Sequence, residues 1–163
     1  MKSKSTEGQT AEPVYQYALR LLAGRDYTVL KLRSKLSTRD FSEQDVEETI
    51  TRLLVEGWID DRRYAGRFAE SALSSGRYFG ARLRLEMRRR GVPAELVDEI
   101  LSRLREDFDE VDELRSVIDR RYPGFVFSTA GDREKRRVIG WFQRRGFRLS
   151  SIIQALKASQ QSY

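Results

Sequence analysis

The stretch that decides the fold is Lys135-Arg136-Arg137-Val138-Ile139-Gly140-Trp141-Phe142-Gln143-Arg144-Arg145-Gly146-Phe147. Its large apolar residues return after three or four positions, which is the period of an amphipathic α-helix and not that of a strand. The glycine near its end is typical of a helix C-terminus. The string Arg-Arg-Gly-apolar that closes this stretch also occurs at residues 89–92. The sequence therefore predicts the same helix end twice.

Three parts of the chain align with one another around this string. An offset of 51 places residues 32–50 on 83–101, and an offset of 55 carries the second set, except its Arg84, onto 138–156. A period near 50 with three helices per unit predicts a tandem helical array, in which each repeat buries its apolar stripe on its neighbours. Chance similarity between amphipathic helices is the alternative, and the matched arginine-glycine-apolar corner counts against it. Residue 40 is Asp40 where the other two units have glycine.

The whole chain is predicted to be all-α, as three three-helix repeats. We expect a flexible tail at 1–12 and repeats at 13–57, 58–106 and 107–160. Ser42 followed by Asp45 is a variant of the capping box, and Gly57 and Gly91 are placed as C-terminal glycines. A loop at 123–131, which cannot continue a helix, departs from the other repeats and is expected to pack its aromatic side chains locally. The nine predicted helices are 13–23, 28–38, 43–56, 61–75, 79–90, 93–105, 108–121, 132–145 and 149–159.

Composition removes several kinds of chemistry from the 163 residues. The chain has no cysteine and no histidine, which excludes disulfides, thiolate nucleophiles and imidazole bases. No stretch has the apolar core of a signal peptide or the length of a membrane span. We therefore expect a soluble, cytoplasmic protein without cofactor, metal or catalytic residue, in which binding is favoured over catalysis.

The charge of the chain points to a polyanionic partner. The net charge is +6, and 25 of the 31 basic residues are arginine, whose planar fork can grip phosphate or carboxylate at two points. A codon preference is the alternative explanation for the arginines. Residues 62–91 carry +7, residues 95–119 carry −7 and residues 120–157 carry +8. Such blocks favour nucleic acid or an acidic protein groove as the partner.

Helical-wheel arithmetic places the arginines of the fifth and eighth helices on stripes away from the core. In the eighth helix Arg133, Arg137 and Arg144 fall within about 40° of one another, with Arg136 beside them. A solvated face is the alternative interpretation. Leu85 is expected to be buried against the next repeat, and Trp58 and Trp141 to anchor the core. The candidate filament- or DNA-binding residues are Arg77, Arg82, Arg84, Arg88, Arg89, Arg133, Arg136, Arg137 and Arg144.

Two acidic segments could suggest metal sites and one aromatic pair could suggest base stacking, but each has a simpler structural explanation. Asp60 and Asp61 at a helix start are expected to act as caps and not as metal ligands. The acidic run 106–113 lacks the spacing of a calcium loop and is expected to be a linker or a helix start. Base stacking by Tyr78 or Phe79 is the less favoured alternative to packing.

The chain resembles the RecX family of bacterial recombinase regulators. The matching stretches are Leu30–Leu36, Trp58–Ala65, Gly80–Met87, Arg90–Val92 and Lys135–Phe147. The resemblance implies a curved, elongated array of three-helix modules. It also implies binding in the groove of the RecA–DNA filament, which restrains filament growth, ATP hydrolysis, strand exchange and co-protease activity, and thus a role in DNA repair, recombination and the SOS response. It further implies binding to single- or double-stranded DNA and no catalysis.

Our main functional hypothesis is therefore a negative regulator of RecA recombinase that is monomeric when free and has no membrane partner. A general nucleic-acid-binding helical repeat without a recombinase partner is the second hypothesis. A structural adaptor whose charges serve solubility is the third, and a metal-dependent nuclease using Asp60 or Asp61 is the least favoured.

Overall fold

All regular secondary structure in the computed structural model, which describes residues 11–106 and 109–158, is helical. The all-α class predicted from periodicity is thus confirmed, and the predicted helix ends differ from the observed ones by a few residues. Glu106 ends a helix, but its side chain is not among the described groups. The helices are α1 (Glu12–Gly24), α2 (Val29–Leu36), α3 (Glu43–Val55), α4 (Asp61–Ser74), α5 (Gly80–Arg89), α6 (Ala94–Glu106), α7 (Glu110–Arg121), α8 (Asp132–Gln143) and α9 (Leu149–Ala158).

Short polar caps and glycines set the helix ends. The Ser42 hydroxyl oxygen accepts a hydrogen bond from the Asp45 amide at 3.1 Å, so the predicted Ser42 cap is confirmed. The Asp45 carboxylate accepts a 2.7 Å hydrogen bond from the Ser42 hydroxyl and not from the Ser42 backbone amide as in a full capping box. After α3 the chain passes through Gly57 with φ +74°, and after α8 through Gly146 with φ +100°. Both lie in the left-handed region that glycine enters without steric cost.

Contacts divide the chain into two compact units. The first unit comprises the residues up to Ala65 together with Arg90–Pro93. In it α1, α2 and α3 pack on one another around a core that includes Leu32, Leu36 and Leu53, all completely buried. Each such side chain stabilises the fold by about 1.5–3 kcal/mol relative to an exposed one.

The second unit comprises Gly66–Arg89 and the residues from Ala94 onward. Here α9 packs on α7 and α8, and α5 packs on α6. The largest buried side chain is Phe142, with Val138 one turn before it on α8. Burial of these two residues turns one side of α8 to the core and leaves its arginines on other sides.

The loop before α8 contributes to the same core. Phe125 and Phe127 pack against the cluster formed by α7, α8 and α9, which confirms the expected local packing, and Val126 is 43% exposed. Two other apolar predictions are wrong, because Trp58 is 53% and Leu85 is 41% exposed. Trp58 follows α3 and donates its indole N–H to the Glu56 carboxylate, so its polar edge has a partner at the surface.

Two sequence predictions fall partly outside the described residues. The expected tail at 1–12 lies outside them up to residue 10, and α1 begins at Glu12. Residues 107 and 108 of the acidic run also lie outside them. The division into three repeats, with boundaries at 57 and 106, stays a prediction.

Candidate functional site

All nine predicted arginines belong to the second unit. Eight of them are exposed, and Arg82 is intermediate. The structure places four on α5 (Arg82, Arg84, Arg88 and Arg89) and four on α8 or at its C-cap (Arg133, Arg136, Arg137 and Arg144). Arg77 belongs to neither helix. Since α5 begins at Gly80 with φ +47°, Arg77 lies in the turn after α4 and does not share a helix face with the α5 arginines.

Three of the α5 arginines are paired with carboxylates of the same unit. Glu86, only 6% exposed, lies 2.8 Å from the Arg82 guanidinium and 3.4 Å from that of Arg89. Arg84 is bonded to Asp98 of α6. A buried carboxylate needs such partners, because an unpaired charge away from water is strongly destabilising. Arg82 and Arg89 therefore already have a structural role, whereas the Arg84–Asp98 pair, with side chains 46% and 59% exposed, stabilises little.

The α8 arginines are in a different situation. Arg133, Arg136 and Arg144 are exposed and form no ion pair with a carboxylate that the structure describes. Arg137 lies 3.6 Å from Glu134, with the two side chains 69% and 48% exposed, and an exposed pair of this kind stabilises little. From Arg133 to Arg144 the helix rises about 16 Å. This set of four, here called the α8 stripe, is an exposed cationic surface whose one described ion pair is weak.

Local sequence explains why α8 forms with its arginines outward. Asp132 and Glu134 lie in its first turn, where negative charge interacts favourably with the helix dipole. Val138 and Phe142 are four residues apart and both buried, which fixes the side that faces the core. The remaining sides carry Arg133, Arg136, Arg137 and Arg144.

A second feature of α8 was not predicted from the sequence. The guanidinium carbon of Arg145 lies 3.3 Å from the centroid of the Trp141 ring, and that of Arg121 lies 4.9 Å from it. Arg145 also donates a 3.0 Å hydrogen bond to the Trp141 carbonyl. Burial, followed by repulsion from Arg121 and Arg144, lowers the pKa of Arg145. The four-residue spacing of Trp141 and Arg145 was the available sequence signal, because such pairs meet on one helix face.

The acidic candidates are structural, as expected. The Asp60 carboxylate accepts a hydrogen bond from the Arg63 amide at 3.0 Å, which caps α4. Asp61 instead accepts one from the Val29 amide at 2.8 Å, at the start of α2. Burial raises the pKa of Asp61. Within residues 11–106 and 109–158 no three possible metal ligands come together.

The described part of the acidic run forms a helix cap and an ion pair whose carboxylate is buried. Asp109 caps α7 by accepting hydrogen bonds from the amides of Val111 and Asp112. Glu110 is 8% exposed and accepts bonds from the backbone amide and the guanidinium of Arg148. The aromatic candidate Phe79 is stacked on Phe147 at a centroid distance of 4.7 Å, so its ring is engaged in packing.

Together these features define a class: an all-α protein of short amphipathic helices whose candidate site is an arginine-rich helix surface. No helix in the described part of the chain is both long and apolar enough to cross a membrane. Two family models match the chain, those of the first three-helix domain of RecX at residues 15–53 and of the second three-helix domain at residues 60–101.

Whole-chain relatives agree with the family models. The chain is 44% identical over 140 residues to a protein of Trichlorobacter lovleyi named regulatory protein RecX, covering 86% of this chain and 91% of that one. A protein of the same name from Syntrophotalea carbinolica is 33% identical, with 84% and 90% covered. The crystal structure of RecX from Lactobacillus salivarius superposes with a TM-score of 0.71 at 17% identity, over 94% and 99% of the two chains. The chain belongs to the RecX family of regulatory proteins.

Proposed function

We propose that this protein is a negative regulator of a RecA recombinase. It binds in the groove of the RecA–DNA filament and restrains filament growth, ATP hydrolysis, strand exchange and co-protease activity, and it acts in the cytoplasm in DNA repair, recombination and the SOS response. Membership of a family of regulatory proteins supports a regulatory role. The proposal includes three repeats, at 13–57, 58–106 and 107–160, and a free protein that is monomeric and performs no catalysis.

The observation that carries the proposal is the α8 stripe. A nucleoprotein filament presents regularly repeated negative charge, from phosphates and from the side chains of successive protomers. Four outward arginines over about 16 Å of helix can contact more than one such charge at once. Each contact is weak at the surface, and the affinity of the whole chain arises from making several together.

The experiment is recombinase ATP hydrolysis on single-stranded DNA with this protein titrated in. The test variant carries Arg133→Ala, Arg137→Ala and Arg144→Ala. The matched control carries Arg103→Ala, Arg115→Ala and Lys157→Ala, which removes the same charge from the same unit. Arg103 and Lys157 are exposed and Arg115 is half-buried, and the two arginines are paired with Glu99 and Asp112. Far-UV circular dichroism and thermal midpoints confirm that both variants are folded.

We expect half-inhibition by the test variant to need at least about tenfold more protein, equivalent to about 1.4 kcal/mol, and inhibition by the control to stay near wild type. Unchanged inhibition by the test variant would reject the α8 stripe as the contact surface. Salt-sensitive DNA binding by the wild type with no effect on the recombinase would instead support the second candidate, a general nucleic-acid-binding repeat protein, which the same stripe favours.

A further inference from the structure

The arginines around Trp141 form a cationic cluster with no described counter-charge. Arg121, Arg144 and Arg145, here called the indole cluster together with Trp141, form no ion pair with any carboxylate among residues 11–106 and 109–158. The guanidinium carbons of Arg145 and Arg121 lie 3.3 Å and 4.9 Å from the centroid of the Trp141 ring, and burial, followed by repulsion from Arg121 and Arg144, lowers the pKa of Arg145. Like charges held together in this way attract an anion.

Another stacked arginine of the chain shows what a structurally neutralised arrangement looks like. The Arg52 guanidinium carbon lies 3.6 Å from the centroid of the Tyr15 ring, much as Arg145 lies against Trp141. Arg52 is also bonded to Glu56 at 2.9 Å and to Glu12 at 3.1 Å. At Trp141 no described carboxylate is paired with Arg145, and a second arginine, Arg121, lies over the same ring. In the indole cluster an arginine is thus stacked on an aromatic ring, as Arg52 is on Tyr15, but no described carboxylate neutralises its charge.

One guanidinium group of the cluster, that of Arg145, is held in place. Arg145 is fixed by the ring contact and by its bond to the Trp141 carbonyl. Trp141 is fixed in turn by edge contacts with Phe142 at 4.8 Å and Tyr122 at 6.1 Å between centroids. A preorganised guanidinium loses less side-chain entropy when it binds an anion than a mobile one does.

The cluster continues the α8 stripe. Trp141 follows Arg137 by four residues and precedes Arg144 by three, spacings that make side chains neighbours on a helix. Arg121, the last residue of α7, then extends the cationic surface beyond α8. A row of cations of this length matches a ligand whose negative charge repeats regularly along a chain, which favours a nucleic-acid backbone over an isolated carboxylate.

We propose that the indole cluster binds backbone phosphates of DNA, and that it does so without stacking a base on Trp141. The ring already has Arg145, Arg121, Phe142 and Tyr122 against it, which leaves the phosphate as the group that the arginines recognise. This proposal rests on the proposed function and deepens it, because it assigns the contact with the DNA of the filament to named arginines. It predicts that single strands and duplexes are bound through the same arginines and with little regard to base sequence.

The test is DNA binding by the full chain without recombinase, measured by anisotropy of labelled oligo(dT) and of a duplex of equal length over a salt series. The variant carries Arg121→Ala, Arg144→Ala and Arg145→Ala, and the control again carries Arg103→Ala, Arg115→Ala and Lys157→Ala. The slope of log affinity against log salt falls by about 0.9 for each lost duplex phosphate contact and about 0.7 for each single-strand contact. We expect the variant to lose about 2 to 3 from the duplex slope and the control to keep it.

A charge-conserving variant guards against misfolding as the cause. Arg121→Lys with Arg145→Lys keeps two point charges and loses the planar forks, so the salt slope should persist while affinity falls several-fold. Unchanged slope and affinity in the alanine variant, or no DNA binding by the wild type, would overturn the proposal. If the alanine variant no longer bound poly-glutamate but still bound DNA like wild type, the proposal would be overturned in favour of an acidic protein ligand.

Tryptophan fluorescence tests the absence of stacking. The chain has two tryptophans, and Trp58→Phe leaves Trp141 as the reporter. We expect saturating oligo(dT) to leave its emission nearly unchanged, and strong quenching would contradict the stacking-free mode. None of these measurements involves recombinase, so a wild type that binds DNA as described yet leaves recombinase ATP hydrolysis unaffected refutes the proposed function and not this site.

Discussion

The backbone amide of Phe79 donates a 2.7 Å hydrogen bond to the carbonyl oxygen of Arg145. One predicted repeat earlier, the hydroxyl of Thr28 donates a 2.6 Å hydrogen bond to the carbonyl of Arg90. The sequence offsets of 51 and 55 carry Thr28 onto Phe79 and Arg90 onto Arg145. In both places an arginine carbonyl just before a glycine is bonded to the residue preceding a helix. The internal similarity of the sequence therefore corresponds to a contact that occurs twice.

Replacement of the glycine at this contact should be severe. A Cβ on Gly146 would lie 2.1 Å from the carbonyl oxygen of Phe79, and φ is +100°. We expect Gly146→Ala to lower the free energy of unfolding by about 3 kcal/mol or more, because both backbone strain and a clash with backbone oppose it. Gly57→Ala is the control: φ is +74° but nothing lies within 4 Å, so only the strain of about 1 kcal/mol remains. Urea denaturation compares the two, and equal losses would show that the close approach is unimportant.

The Thr28 hydroxyl should matter more than its size suggests. Thr28 is 1% exposed, and its hydroxyl oxygen also accepts a 3.3 Å hydrogen bond from the Lys31 amide, which caps α2. Thr28→Val keeps the shape and leaves both partners unbonded, so we expect a loss of about 1–3 kcal/mol in the free energy of unfolding. Thr28→Ser restores the hydroxyl and should recover most of it. A valine variant as stable as wild type would contradict this role.

Asp40 stands in the first predicted repeat where the other two repeats have glycine. The described residues contain no non-glycine residue with positive φ, so Asp40 adopts an ordinary backbone conformation. Gly91 and Gly146 need to lack a side chain, since a Cβ on Gly91 would lie 2.9 Å from Leu30. The departure at residue 40 could be seen in the sequence, but the close approaches at Gly91 and Gly146 could not, because they depend on segments distant in sequence.

Much of the fold could be predicted from local patterns, and the candidate site only in outline. Helix periods, the Ser42 cap and the C-terminal glycines depend on neighbours in sequence, and these predictions are confirmed. The pairing of Arg84 with Asp98 joins two helices, and charge counts along the chain do not show it. For that reason the sequence could not separate the paired arginines of α5 from the outward arginines of α8.

The two tryptophans make the same point about burial. Both were expected in the core, since large aromatic residues usually are. Trp141 packs against the core of the second unit, but Trp58 lies beyond the end of α3 and is 53% exposed. Residue type alone does not distinguish them. The position of Trp58 just after Gly57, where the helix pattern has ended, was the only local hint.

Glu110 should stabilise the start of α9 through its role as an acceptor. Its carboxylate accepts bonds from the Arg148 amide at 3.1 Å and from the guanidinium at 3.0 and 2.7 Å. We expect Glu110→Ala to cost about 1–2 kcal/mol in the free energy of unfolding, since a helix-start amide loses its partner. The Arg148 side chain is 76% exposed and that of Glu110 is 9% exposed, so the guanidinium also offsets the cost of burying the carboxylate. Glu110→Gln keeps an acceptor and should cost less than half as much, and equal losses in urea denaturation would assign the effect to charge.

The pH dependence of stability should reveal Asp61. Burial raises its pKa above the ordinary value of 3.8, although the Val29 amide and Arg33 act in the opposite direction. Between 3.8 and the raised pKa the folded state binds more protons at this group than the unfolded state, so its contribution to stability decreases as pH rises through that window. Asp61→Asn does not titrate and still offers an oxygen to the Val29 amide. We therefore expect the thermal midpoint of Asp61→Asn to increase relative to that of wild type as pH rises from below 3.8. The difference between the two midpoints should stay constant at pH values above the window.

Asp61→Ala, which removes the acceptor, should lie below Asp61→Asn at every pH by about 1 kcal/mol in the free energy of unfolding. An asparagine variant that loses ground to wild type as pH rises would show instead that the ionised carboxylate is stabilised in the fold by Arg33.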